Sequence, residues 1–209
     1  MIRSILLALT LALPTMAQDS ATAETCAGEV YLDTQAAVDA FDCEVFEGDL
    51  WIRGRGVTNL HGLSELRKAN SVYVYGTAVR DLKGLGSLEE VGANFSVYGN
   101  PHIETLNGLD RLTTAGSGIQ ARANRRLHNI DAFRTVRAVG WIAIVRENPS
   151  LSDCSCGIYE PATEGGVDFV YFVHPDIPAP IAENAPGCNS FEEAMANYDA
   201  ARCAARREE

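Results

Sequence analysis

Long apolar runs, basic residues and catalytic loop motifs are scarce or missing in this sequence, and each absence excludes a class of protein. No apolar run reaches the roughly 18 residues that a transmembrane helix needs. Basic residues number 17 against 28 acidic ones, for a net charge of −11, which argues against nucleic acid as a partner because phosphate binding needs clustered cations. Neither a Gly-x-Ser-x-Gly nucleophile motif nor a phosphate-binding loop occurs.

The N-terminal segment has the pattern of an export signal. Arg3 precedes a short apolar stretch over residues 5–13, and Thr15, Met16 and Ala17 offer small residues where a signal peptidase cleaves. We therefore expect cleavage near Ala17 and delivery to the periplasm, the cell surface or the medium. Such compartments permit disulfides. The chain has six cysteines, an even number, so all of them can pair.

A repeat of 22 to 24 residues occupies the middle of the chain. One apolar column of the repeat contains Val57, Val79, Ile103, Leu127 and Leu151. Upstream in each unit lies an alternating apolar pair, which is typical of a strand with one buried face: Leu50/Ile52, Val72/Val74, Phe95/Val97, Ile119/Ala121 and Ala143/Val145. Later columns recur every three residues, which indicates tight corners and short strands. Because one such unit cannot bury its apolar face alone, the units are expected to stack.

The repeat predicts a β-solenoid of the right-handed β-helix or leucine-rich-repeat kind, with short helical caps at both ends. The expected organisation is a signal peptide over residues 1–17, an N-terminal cap over 18–46, repeats over 47–156 and a C-terminal cap over 157–209. Residues 34–41 are expected to be helical, residues 167–173 to form a strand, and residues 191–206 to form a helix. Ser190 is the expected N-cap of that last helix, with Glu193 completing a capping box.

Several phrases of the sequence resemble the receptor L domain, which forms the ligand-binding lobes of insulin-receptor and EGF-receptor ectodomains. The resemblance is carried by CEVFEGDLWI at residues 43–52, LKGLGSLEEVG at 82–92 and YGNP at 98–101. Bacterial secreted proteins with such repeats look closer still, particularly in NAPGCNS at residues 184–190. The resemblance implies a leucine-rich-repeat-like receptor L domain that uses one sheet face for its ligand. The receptors' furin-like modules and kinase are absent from this sequence, so no signalling role follows.

The cysteines are expected to form disulfides in the N-terminal and C-terminal caps. The resemblance implies a Cys26–Cys43 disulfide in the N-terminal cap. Cys154 and Cys156 are too close to pair comfortably with each other, and we expect them to bridge to Cys188 and Cys203 in an order that the sequence leaves open. The alternative is that Cys154-Ser155-Cys156 is a metal site. It is disfavoured because His174 is the only histidine nearby and an exported chain oxidises its thiols.

No catalytic or cofactor site is expected. His61, His102 and His128 fall in different columns of the repeat and are expected to be solvated turn residues, like His174. In the repeat, no Asp or Glu aligns with an Asp or Glu of the neighbouring unit. The β-helical enzymes that cleave polysaccharides need carboxylates that converge on one face. The sequence therefore favours a non-enzymatic protein without cofactor or metal.

One face of the predicted strands combines aromatic and basic side chains. If the alternating apolar pairs point inward, the alternate residues form two outward columns. The residues of these columns that we expect to bind a ligand are Trp51, Arg53, Tyr73, Tyr75, Tyr98, Arg122 and Arg146. Aromatic residues and arginine are enriched at binding hot spots. The predicted function is non-catalytic recognition of a protein or glycan at the cell envelope, with a structural envelope protein and a β-helix carbohydrate enzyme as alternatives.

Overall fold

A computed structural model describes residues 24–140, 142–158 and 181–205. The strands are β1 Thr25–Leu32, β2 Val45–Arg53, β3 Lys68–Tyr75, β4 Glu90–Val91, β5 Asn94–Tyr98, β6 Thr114–Ala115, β7 Gly118–Arg122, β8 Ala138–Val139, β9 Ile142–Arg146 and β10 Ile181–Ala182. The helices are short: Gln35–Asp39, Phe191–Ala196 and Ala200–Ala205, with 3-10 turns at His61–Leu63, Lys83–Leu85 and Asp131–Thr135.

All ten described strands belong to one parallel sheet that branches at β3. β1 pairs with β2, and β2 pairs with β3. β3 then pairs with β4 through its first half and with β5 through its second half, so two ladders leave it: β4-β6-β8 and β5-β7-β9-β10. Residues 24 positions apart face each other between β5, β7 and β9, so the hydrogen-bond register follows the sequence repeat.

The prediction of a β-solenoid or right-handed β-helix of the receptor L-domain kind is wrong. In the described part of the chain the structure is a parallel sheet of ten strands that does not close, and the helices there are few and short. The physical reason lies in the columns that recur every three residues, which were expected to make further short strands. Leu63, Leu85 and Phe133 instead lie in 3-10 turns, so these turns add no second set of paired strands to the described part of the chain.

Glycines allow the two ladders to separate where the strands break. An added Cβ at Gly116 would lie 2.0 Å from the Gly92 carbonyl oxygen, and one at Gly140 would lie 1.8 Å from the Gly116 carbonyl oxygen. At each break, the glycine therefore packs directly on the backbone of the previous repeat. Side chains other than hydrogen are excluded at these positions unless the strands move apart.

One hydrophobic core joins the inward strand residues to the leucines of the turns. The alternating pairs of the sequence repeat are buried as predicted, from Leu50 and Ile52 through to Ala143 and Val145. The outward residues between them are left on the opposite face of the sheet. The repeat thus positions a continuous row of outward side chains across at least five strands.

A ladder of buried asparagines stabilises the turn that follows each long strand. Asn124 Oδ1 accepts the backbone N–H of Asn100 at 3.0 Å, and its Nδ2 donates to the carbonyl of Val97 at 3.0 Å. Asn148 repeats this pattern toward Asn124, and Asn184 repeats it toward Asn148. These buried backbone groups are therefore satisfied by side chains one repeat away.

Three disulfides fasten the two ends of the sheet. Cys26 pairs with Cys43, Cys154 with Cys188, and Cys156 with Cys203, which settles the order left open by the sequence. They are consistent with an extracytoplasmic protein. None of the helices in the described part has the length and hydropathy that crossing a membrane requires.

Both predicted end helices are present in shorter form. Thr34 caps the helix Gln35–Asp39 by accepting the N–H of Ala37 at 3.2 Å. The predicted helix over residues 191–206 is two helices, broken between Ala196 and Ala200. Ser190 is the N-cap as predicted, but the Glu193 carboxylate accepts from the N–H groups of Gly187 and Asn189, so it holds the preceding turn and does not close a capping box. The strand expected at residues 167–173 lies outside the described residues.

Candidate functional site

The sheet register brings the outward aromatic and basic residues together on one face. The first column, in order across the strands, is Tyr31, Trp51, Tyr73, Ser96, Gln120 and Ile144. The second column is Arg53, Tyr75, Tyr98, Arg122 and Arg146. We call these two columns the aromatic–arginine face. Every predicted binding residue lies on it.

The first column begins with a stack of three rings. Trp51 and Tyr73 are stacked with centroids 4.0 Å apart and an angle of 14° between their planes. Tyr31 lies on the other side of Trp51, with centroids 6.3 Å apart. The indole Nε1 of Trp51 is buried and has no hydrogen-bond partner among the described residues. Such parallel aromatic pairs stabilise neighbouring strands beyond the area they bury.

The second column contains a shorter stack that ends in a cation. Tyr75 and Tyr98 have centroids 5.2 Å apart and planes within 7° of parallel. The guanidinium of Arg122 lies over the Tyr98 ring, 5.7 Å from its centroid. Tyr75 and Tyr98 remain 47% and 38% exposed, and they are among the few large apolar side chains of the described chain that reach solvent.

Among the described residues, one face of Tyr73 and one face of Tyr75 have no ring or guanidinium stacked on them. The parallel rings present their faces mainly to one another, so edges and hydroxyls point to solvent. Tyr73 faces the short Ser96 on the next strand, and an open cavity of about 380 Å³ lies there between Tyr73 and Gln120. Tyr75 has its second face toward Arg53, which turns away from it, and a groove of about 590 Å³ lies beside that face.

Carboxylates hold the arginines of the face in fixed orientations. Arg53 Nε lies 2.5 Å from Asp33 Oδ1, and its guanidinium covers the Tyr31 ring at 4.3 Å from the centroid. Arg122 donates two hydrogen bonds to Glu147 Oε1, at 3.0 and 2.7 Å. These hydrogen bonds lower the pKa of the Asp33 and Glu147 carboxyls and raise the pKa of both guanidiniums. The arginines are thus preorganised, although each has a carboxylate partner already.

Arg146 lies at the edge of this face and is only 8% exposed. It is paired with Glu147 at 3.2 Å and with Glu183, which follows β10. Its guanidinium therefore joins the last repeat to the C-terminal cap. Of the predicted binding residues it is the least accessible.

A left-handed residue follows each member of the second column. This residue is Gly54 after Arg53, Gly76 after Tyr75 and Gly99 after Tyr98, and then Ala123 and Glu147 follow the two arginines with φ of 55° and 59°. Glycine adopts this conformation at no steric cost, whereas alanine and glutamate are strained in it. The glycine half of this row has no side chains, and it forms the bare floor of the groove beside Tyr75.

Sequence reasoning missed three members of the site. Tyr31 extends the first stack and Asp33 orients Arg53, but β1 precedes β2 by only 20 residues, outside the 22-to-24-residue repeat. Glu147 was missed because its role depends on its left-handed backbone, which points its carboxylate back toward Arg122. The excess of glycine immediately after the second column was the one available signal for the groove.

The described residues contain no cluster of three or more His, Cys, Asp or Glu side chains arranged to hold a metal ion. Cys154 and Cys156 are both in disulfides, which removes the thiolates that the predicted metal-binding alternative required. His174, the one histidine near this motif in the sequence, lies outside the described residues.

No family model, no curated protein and no solved structure matches the chain.

Proposed function

We propose that this protein is an exported, non-catalytic recognition module that binds a protein or glycan through the aromatic–arginine face. The proposal places it in the periplasm, at the cell surface or in the medium, after removal of a signal peptide near Ala17. The export pattern of residues 1–17 and the three disulfides support this location.

The observation that carries the proposal is the exposure of Tyr75 and Tyr98 beside an oriented arginine. The two rings stack on each other, and Tyr98 also lies under the Arg122 guanidinium, which restricts their side-chain conformations. A rigid aromatic surface binds with little loss of side-chain entropy.

A second candidate function is a structural envelope protein without a discrete ligand. It is favoured because many of the aromatic rings and guanidiniums of the face already have stacking or ion-pair partners within the protein. Trp51 stacks on both sides, and Arg53, Arg122 and Arg146 all have carboxylate partners. On this alternative the face serves to hold neighbouring strands in register.

A capture experiment separates the two. Oxidised protein lacking residues 1–17 is immobilised and exposed to envelope extract and to medium from the producing cells. The test variant carries Tyr73→Ser, Tyr75→Ser and Tyr98→Ser, and the matched control carries Glu65→Ser, Lys83→Ser and Arg111→Ser, which are exposed and outside the face.

We expect a protein or polysaccharide that is retained by the wild type and the control and lost with the test variant. Circular dichroism and melting curves establish that both variants are folded. Retention by all three proteins would place any binding site elsewhere, and retention by none would favour the structural function.

A further inference from the structure

We propose that the groove beside Tyr75 binds a carboxylate-bearing sugar, such as a uronic acid residue of an acidic polysaccharide. This inference rests on the proposed function and names the ligand class for part of the same face. The groove is about 590 Å³, which is within the usual size of small-ligand sites, and it is open to solvent.

One wall of the groove is an aromatic face with no partner on its groove side. Tyr75 is stacked on Tyr98 through one face only, and its in-register neighbour on the other side, Arg53, leans toward β1 to cover Tyr31 and bind Asp33. A pyranose ring presents a flat patch of C–H groups that packs on such a face through dispersion and the negative potential of the ring.

The floor of the groove is backbone. Gly54, Gly76 and Gly99 follow the strand ends in left-handed conformations, and no side chain rises from them. Nothing lies within 4 Å of where a Cβ would project from Gly76. The space above Gly76 is therefore open, and a sugar ring can lie there against the face of Tyr75. After Arg122 and Arg146, the residues with positive φ are Ala123 and Glu147, which carry side chains. The stretch of bare backbone is therefore confined to Gly54, Gly76 and Gly99.

The groove carries an excess of positive charge in a chain whose overall charge is −11. Arg53 and Asp33, which both line the groove, neutralise each other. Arg55 also lines it and is exposed, and Arg125, which does not line it, donates from Nε to the carbonyl of Pro101, a lining residue, at 3.3 Å. Within the described ranges no carboxylate lies at ion-pair distance from Arg55 or Arg125. The guanidinium of Arg55 within the groove, and that of Arg125 next to Pro101, are thus available for carboxylates of an acidic saccharide.

An acidic peptide has the same charge, but the groove favours a sugar. A peptide would be expected to use an unpaired strand edge or a pocket for an anchoring side chain. Here the N–H groups of Gly76 and Gly99 already donate to the carbonyls of Tyr98 and Arg122, so the floor offers no free strand edge there. The features that remain are a flat ring face and cations, which suit a pyranose carboxylate.

Calorimetry of the oxidised full-length mature protein tests the proposal. The probes are trigalacturonate, trimannuronate and a hyaluronate tetrasaccharide, each compared with its methyl ester, together with hexaglutamate. We expect at least one acidic saccharide to bind, its ester to bind at least fivefold more weakly, and its affinity to fall as salt is raised.

Two groove variants and one control variant define the site. Arg55→Gln with Arg125→Gln should weaken the acidic saccharide at least tenfold, and Tyr75→Leu should weaken acid and ester alike. Arg80→Gln with Arg111→Gln, which removes the same charge from exposed positions outside the groove, should leave binding within twofold.

Failure of all three saccharides, or equal binding by the Arg55/Arg125 variant, would overturn the proposal. Binding of hexaglutamate alone would replace the sugar by an acidic peptide. These results are separate from the capture experiment, because loss of a captured partner with the tyrosine variant would uphold the face as a binding site even if no acidic sugar binds.

Discussion

The side chain of Asn124 accepts the backbone N–H of Asn100 at 3.0 Å and donates to the carbonyl of Val97 at 3.0 Å, and all of these groups are buried. One amide therefore satisfies two backbone groups of the preceding repeat. We expect Asn124→Ala to leave both without partners and to lower the free energy of unfolding by about 2–5 kcal/mol. Urea denaturation measures this, with Asn129→Ala as the matched control because the side-chain Oδ1 of Asn129 has no hydrogen-bond partner in the described chain. Equal losses for the two variants would contradict the ladder's role.

Gly84 packs directly on the backbone of the preceding turn. An added Cβ would lie 1.8 Å from the Leu60 carbonyl oxygen, so the two turns would have to separate. We expect Gly84→Ala to cost about 3 kcal/mol, at the upper end for an overpacked interior. Gly56→Ala is the control, since nothing lies within 4 Å of its added Cβ. Equal melting temperatures for the two variants would show that the turns are not in close contact.

Ala123 occupies the left-handed region with φ of 55°. Replacement by glycine relieves that strain at some cost in chain entropy, and we expect Ala123→Gly to stabilise the protein by about 0.5–1 kcal/mol. In contrast, Ala121→Gly, two residues earlier in the buried part of β7, should destabilise it. Urea unfolding of both variants checks the prediction. Destabilisation by Ala123→Gly would mean that the turn is not left-handed.

Glu147 makes the aromatic–arginine face sensitive to acid. Arg122 lowers its pKa below the ordinary value, so its contribution to stability is present at neutral pH and is lost as the pH falls through the lowered pKa. We expect Glu147→Gln to be less stable than the wild type at pH 7 and the difference to shrink below about pH 4. Unfolding curves at pH 7 and pH 3 measure this. A difference that grows on acidification would reverse the sign and contradict the ion pair.

The sequence predicted the periodic parts of the molecule better than the fold class. The alternation of Leu50 and Ile52, repeated about every 24 residues, places side chains correctly because the period of a strand is two. It does not determine how the segments between strands run. Leucines spaced by three fit a short strand at a corner and a 3-10 turn equally well, and the structure adopts the turn at Leu63 and Leu85.

Features that depend on backbone conformation or on non-periodic spacing escaped the sequence analysis. Asn184 joins the asparagine ladder, but it follows Asn148 by 36 residues, so the period hides it. The stacking of Tyr75 on Tyr98 was not predictable from their positions alone, because the same register allows rings to splay toward solvent. That stacking decides which ring faces remain for a ligand.

Site-specific photocrosslinking at Tyr75 tests the central claim most directly. The protein is produced in its own cells with p-benzoylphenylalanine at position 75, or at exposed Lys83 on a 3-10 turn as the control. After illumination, we predict a discrete crosslinked product at position 75 that is absent at position 83. No product at position 75, or the same products at both positions, would contradict recognition through the aromatic–arginine face.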